Sequence, residues 1–240
     1  MNELLLIGSL IFVFLMVLFA YWIFGKTGLY VMSVLATVFA NIEVLILINA
    51  FHMEQTLGNV LFASTFLITD ILSECEGKKE ANKAVYLGIF SSIFFLLLSQ
   101  SWLLYKPADD GNILNSIRAI IQSTLRMIFA SLSVYAISQI FDVWLYHKWW
   151  DFTNKKFNDK KKFLWLRNNG STLISQLINT LFFTFFAFAG TYEFKTLLEI
   201  FISSYVIYIF TSLLDTPIVY LARHLKEKGQ INCLKLFKKK

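Results

Sequence analysis

The chain is short of proline, glycine, cysteine and charge. Two prolines and ten glycines among 240 residues leave few turn-formers, which argues against a turn-rich β protein and for long uninterrupted helices. The two cysteines, Cys75 and Cys233, have no CxxC or Cys/His ligand spacing, so neither a disulfide framework nor a zinc site is expected. His52, His147 and His224 lie scattered near expected helix ends, and no metal or cofactor is predicted. No P-loop, nucleophile elbow or zincin motif occurs, so the chain is not expected to be an enzyme or to hydrolyse ATP by itself. Charged residues make up only 16% of the chain, against 57% hydrophobic residues and 25 Phe. A typical soluble domain has about 45–50% apolar and about 25% charged residues.

What is present is a series of apolar stretches, each near the 20 or so residues that a membrane-spanning helix needs. Seven are predicted: Leu4–Phe24, Leu29–Ala50, Leu57–Ser73, Ala84–Tyr105, Ala119–Tyr146, Ser171–Gly190 and Thr196–Ala222. The first follows an N-terminus without a positive segment and exceeds a secretory apolar core, so it reads as a retained helix. The third is the weakest, because Asp70 and Glu74 shorten its apolar part; a tilted or broken helix would suit it. The connections alternate between basic and weakly charged. Of the 22 Lys and Arg, 18 fall in alternate connections and the C-terminal tail, against Lys106, Arg118 and Lys195 on the other side and Arg126 within a span. The positive-inside rule then places the N-terminus outside and the C-terminus in the cytoplasm, as an odd helix count requires. The net charge of +6 sits in those loops, where it sets topology and attracts anionic lipid, so no nucleic-acid partner is expected.

Within these greasy stretches, or at their ends, stand Glu43, Asp70, Glu74, Asp142, Glu199 and Asp215. An ionised group at a helix centre costs roughly 2.5–3.5 kcal/mol on insertion scales, so a passive anchor would not carry them. At a 1.5 Å rise per residue Asp70 lies roughly 20 Å from the outer surface, with Glu74 four residues on along the same face. Ser138, Gln139 and Asp142 share one helix face, and Ser175, Gln176 and Asn179 repeat that spacing. The strings Ile137–Asp142 and Ile174–Asn179 echo one another, and both copies are expected in the cytoplasmic half, facing one cavity. Helices two to four against five to seven would suit an inverted repeat. Asp215 precedes Pro217, which frees the Leu213 carbonyl and is expected to bend the helix. Arg126 and Glu43 reach similar depths, so an interhelical pair is expected, serving as a lock or as a substrate contact. Blander readings stand beside these: Glu199, Asp142 and Glu74 reaching headgroup water, and Asp70 or Asp215 capping a broken helix. Gly88 and Ser92 form a small-xxx-small pair suited to close helix packing.

The strings carrying the polar groups are Ala40-Asn41-Ile42, Thr65 to Glu74 with Gly77-Lys78-Lys79, Ala130-Ser131, Ser138-Gln139 with Asp142-Val143, Leu164-Trp165-Leu166-Arg167-Asn168-Asn169 with Ser171-Thr172 and Ser175-Gln176, and Ala187-Phe188-Ala189-Gly190. In this order, over about Ala40 to Tyr220, they resemble the queuosine precursor transporter family, also known as vitamin uptake transporters. Asn179 departs from the acid of many relatives, and Glu76 from the aromatic that commonly precedes Gly77. The resemblance implies an all-α polytopic bundle with a six-helix core at 28–222, an added first helix at 1–27 and a basic cytoplasmic tail at 223–240. It further implies a multi-pass protein of the bacterial plasma membrane, with room for a homo-oligomer, importing 7-cyano-7-deazaguanine, 7-aminomethyl-7-deazaguanine or queuine for tRNA modification. The alternative is a substrate-binding membrane subunit energised by a separate ATPase module. The chemistry is compatible with the first. A carboxylate, Asp142 or Asp70, accepts from the N1–H and 2-amino edge, while Gln139, Gln176 or Asn179 donates to O6. Phe141, Trp144 or Phe182 is expected to wall the flat rings. Glu74, Asp215, Glu43 and Arg126 are candidates for coupling or gating.

Overall fold

In a computed structural model the described residues are 1–51, 53–107, 114–118, 125–159 and 162–232, with the side chains at 53, 54 and 125–128 excluded. Among them are seven long helices and one hairpin: α1 (Asn2–Phe24), α2 (Lys26–Glu43), β1 (Leu47–Ala50), β2 (Met53–Thr56), α3 (Asn59–Cys75), α4 (Lys78–Trp102), α5 (Leu125–Phe157), α6 (Leu164–Phe188) and α7 (Phe194–Glu227). Four of these, α1, α4, α6 and α7, are long and apolar enough to cross a membrane. The architecture is that of an α-helical bundle, and its polarity is reversed relative to a soluble one. Large apolar side chains such as Phe90, Leu97 and Phe210 lie on the outside, while Asp70, Gln139, Asp142 and Arg167 are fully buried.

Helix α3 occupies the centre, packed against α1, α2, α4, α5 and α7. This explains its weak apolarity. A helix lined by protein on every side can carry hydroxyls and carboxylates that a lipid-facing one cannot. It runs unbroken from Asn59 to Cys75, so the expected break is absent. Thr65 and Thr69 return their hydroxyls to the Phe62 and Phe66 carbonyls, which satisfies these groups without interrupting the helix.

The predicted second helix is too long at its C-terminal end. It stops at Glu43, and Leu47–Ala50 forms a strand instead. This strand pairs antiparallel with β2, with Leu47 opposite Thr56 and Ala50 opposite Met53. The run Val44 to Ile48 is continuously apolar and rich in β-branched residues, so it satisfies a strand as well as a helix. The hairpin then hands the chain to α3 at Gly58, whose N–H donates to the Glu43 carbonyl at 3.3 Å.

One glycine sets a turn and another a close approach. Gly25 turns the chain between α1 and α2 with φ of 62°, in the left-handed region that suits glycine. Gly88 on α4 lies so near α5 that an added Cβ would stand 2.3 Å from the Tyr135 hydroxyl and 3.1 Å from Thr37. Ser92, one turn on, accepts from Asn41 Nδ2 at 3.1 Å. The expected small-residue pair therefore does bring α2, α4 and α5 together. Helix α7 runs through Pro217 from Phe194 to Glu227, and nothing at that proline ends it.

Candidate functional site

Polar side chains of α3, α5, α6 and α7 form a continuous buried seam. At its middle Gln139 of α5 is held by α3, donating from Nε2 to Thr65 Oγ1 at 2.7 Å and accepting from Thr69 Oγ1 at 3.3 Å. Further along α3, Asp70 accepts from Thr172 Oγ1 of α6 at 3.0 Å through one oxygen, while its other oxygen has no partner. Asp215 of α7 accepts from Asn168 Nδ2 at 2.8 Å. Asn168 and Asn169 also donate to Thr216 Oγ1, and Ser212 donates back to Asn169. The α7 segment before Pro217 is thus fixed by two adjacent amides of α6.

Asp142 is the unsatisfied member. It is fully buried, Ser171 and Ser175 of α6 stand beside it, and neither of its oxygens has a hydrogen-bond partner of good geometry. Asp70, Asp142 and Asp215 lie close enough to feel one another's charge, and among the described residues none of them pairs with a cation. Ser138, Ser175 and the Gln176 Oε1 are buried here without partners as well. The two echoing strings of α5 and α6 therefore meet at this seam. An unpaired buried polar group costs about 1–3 kcal/mol, so a cluster of them is a stability cost that a ligand-binding site explains.

The two ends of the seam differ. At the C-terminal end of α3, Glu74 is closed in by Arg167, whose Nε and Nη2 reach its two oxygens at 2.8 and 2.6 Å. Arg223 Nη1 adds a contact at 3.1 Å and the Tyr146 hydroxyl one at 2.7 Å, and the Trp150 ring stacks 4.3 Å from the Arg167 guanidinium. At the other end a small pocket open to the outside is lined by Gln55, Thr56, Asn59, Asn179, Phe183, Phe188 and Tyr208, among others. A smaller recess adjoins it, adding Phe62 and Ser131. Fifteen residues of α3 separate Asn59 from Glu74, or roughly 22 Å.

Several expected placements need correction. Asn179 does not share one end of the bundle with Asp70: it lines the cavity at the hairpin end, past the midpoint of α6. Trp144 and Phe182 are exposed on the outside of the bundle and so do not wall the pocket; its aromatic walls include Phe62, Phe183, Phe188, Tyr192 and Tyr208. Arg167 belongs not to a solvated loop but to the buried interior. Glu43 is half-buried where α2 meets the hairpin, apart from the acidic seam. The side chain of Arg126 lies outside the described residues, and with it the expected pair to Glu43. Sequence reasoning missed Gln55, Asn59 and Tyr208. Their available signal was two amides four residues apart flanking Gly58, at the mouth of the most polar helix.

Comparison with known proteins places the chain in a family. The model of a family described as "Putative vitamin uptake transporter" matches residues 56–222. The chain belongs to that family. A curated relative from Bacillus subtilis (strain 168), "Probable queuosine precursor transporter", is 38% identical over 210 residues, covering 88% of this chain and 90% of the relative. No solved structure matches. The vitamin uptake transporter match takes in β2's Thr56 and α3 to α7 up to Ala222, every element that contributes to the seam. Helices α1 and α2 precede it.

Proposed function

We propose that the protein is a multi-pass transporter of the bacterial plasma membrane that imports 7-deazaguanine precursors of queuosine by alternating access. The observation that carries this reading is the seam of unsatisfied buried carboxylates and amides shared by α3, α5, α6 and α7. A lipid-embedded anchor gains nothing from such groups, whereas a carrier of a polar planar base needs them. The name of the Bacillus subtilis relative supplies the substrate class.

In this reading all seven helices span the bilayer, with the N-terminus outside, the C-terminus in the cytoplasm, residues 28–222 as the carrier core and α1 as an addition. The N-terminus lies at the hairpin end, where Asn2 Nδ2 donates to the Asn49 carbonyl. The Arg167, Arg223 and Lys226 contacts cluster at the opposite end, which suits a basic cytoplasmic face. The open cavity at the hairpin end and the Glu74–Arg167–Arg223 closure at the other correspond to an outward-facing state. Asp142, with Asp70 beside it, accepts from the N1–H and 2-amino edge of the base, and Gln176 serves its oxo group. Glu74 gates, releasing Arg167 when the inner end opens. Asp70 or Asp215 carries a coupling proton, or uptake is facilitated and followed by metabolic trapping.

The experiment is uptake by cells unable to synthesise queuosine, supplied with each of the three bases and scored by queuosine in tRNA. Modified tRNA that depends on this gene product supports the reading. Equal modification with and without it overturns it.

A further inference from the structure

We propose that the C-terminal end of α5 is a docking surface for anionic phospholipid headgroups, built from the stripe Trp144, Lys148, Phe152 and Lys156. The inference rests on α5 crossing a bilayer and is independent of what the protein carries.

These four residues are spaced four apart, so they follow one another along one side of the helix. All are exposed, Trp144 at 45% and Phe152 at 53%. Each lysine lies over an aromatic ring: Lys148 Nζ stands 5.6 Å from the centre of the Trp144 ring, and Lys156 Nζ 5.8 Å from that of Phe152. Lys156 also lies 5.6 Å from the ring of Phe157, itself exposed. The opposite side of the same turns faces the bundle. Tyr146 and Thr153 are buried there, Tyr146 donates to Glu74, and the Trp150 ring stacks on Arg167. The stripe is therefore the outer face of a segment whose inner face closes the seam.

Length and charge select the occupant. The 33 residues of α5 extend roughly 50 Å, more than the 40–45 Å or so of a bilayer with its headgroup layers. From Lys148 to Lys162 the sequence holds six lysines against Asp151 and Asp159, and Asp159 already pairs with Lys162 at 3.8 Å. A lysine-rich segment directly beyond a membrane span attracts anionic lipid. Interleaved rings add a second requirement, because Phe152 and Phe157 gain nothing from water alone. A lysine beside each ring lets the ring enter the acyl boundary while the ammonium meets a phosphate. An acidic soluble protein would also suit the lysines. The stripe, however, continues through Trp144 to the exposed Ile140 within the apolar part of α5, where lipid is the neighbour.

The test is thermal unfolding of the full-length protein in nanodiscs of phosphatidylcholine alone and of an equal mixture with phosphatidylglycerol. The wild type is expected to melt about 4–8 °C higher in the mixture, the scale of two lysines at an anionic surface, and to lose that gain at high salt. Lys148→Gln with Lys156→Gln is expected to match the wild type in phosphatidylcholine and to lose most of the gain in the mixture. Lys79→Gln with Lys228→Gln removes the same charge from two other exposed lysines at this end of the bundle, and is expected to keep the gain. A wild type that melts equally in both lipids overturns the inference and leaves a soluble partner to cover the stripe. A gain that survives in the stripe variant, or that the control pair abolishes as fully, overturns it too, because the attraction is then spread over the whole face. None of these outcomes bears on uptake of a base, so the transport reading stands or falls separately.

Discussion

Arg167 of α6 presents two guanidinium nitrogens to both oxygens of Glu74 on α3, at 2.8 and 2.6 Å, with the arginine wholly out of solvent and the glutamate side chain 2% exposed. Ninety-three residues of sequence separate the two. Arg223 and Tyr146 add a helix each to the same carboxylate, so α3, α5, α6 and α7 are tied at one point.

Removing one member of a buried pair strands the other. Glu74→Ala is expected to destabilise the protein by about 3–5 kcal/mol by leaving Arg167 uncompensated. Replacing both, as Glu74→Gln with Arg167→Met, is expected to restore most of that loss. Thermal unfolding of the detergent-purified variants measures both. A double variant as unstable as the single one would show that the pair is not the source of the stability.

Asp142 predicts the opposite balance. Both its oxygens lack partners of good geometry, so Asp142→Asn removes a buried charge that little stabilises. The melting temperature is expected to hold or rise, while uptake of the base falls at least tenfold, the scale of one lost charge-assisted contact. Asp142→Ala should lose uptake too. Melting curves and cellular uptake of the same variants decide the matter, and intact uptake in Asp142→Ala would remove Asp142 from the site.

Gly88→Ala tests packing apart from transport. The new methyl meets the Tyr135 hydroxyl at 2.3 Å, and overpacking of this kind costs about 1–3 kcal/mol. A lower melting temperature with retained binding of 7-deazaguanine is expected. No change would mean that α4 and α5 can separate freely there.

Topology is open to fusion reporters. A fluorescent protein that matures only in the cytoplasm is expected to light up when joined after Lys240. Alkaline phosphatase inserted at Phe51, at the tip of the hairpin, is expected to be active, as it is only outside. The reverse pattern would invert the proposed orientation.

The helical bundle was legible because apolar run length acts at the scale of a whole helix. The positions of Asp70, Asp142 and Asp215 were legible for a related reason: acids in apolar helices must face inward, and all three are buried. What failed depended on neighbours distant in sequence. Val44 to Ile48 satisfies helix and strand equally, and only pairing with Met53–Thr56 decides between them. The polarity of α3 suggested a break because nothing local reveals that five helices surround it. Arg167 follows a run of loop lysines, and nothing local reveals that its partner lies on α3. Trp144 and Phe182 have suitable chemistry for a ring wall, yet their helices turn those faces outward.

Reconstituting the purified protein alone into liposomes, without ATP or any partner, and following entry of labelled 7-cyano-7-deazaguanine tests transport through the seam most directly. Saturable entry above that of protein-free liposomes, abolished by Asp142→Ala, is the expected result. Entry no faster than through bare lipid, by protein shown to be folded, would contradict a self-sufficient carrier.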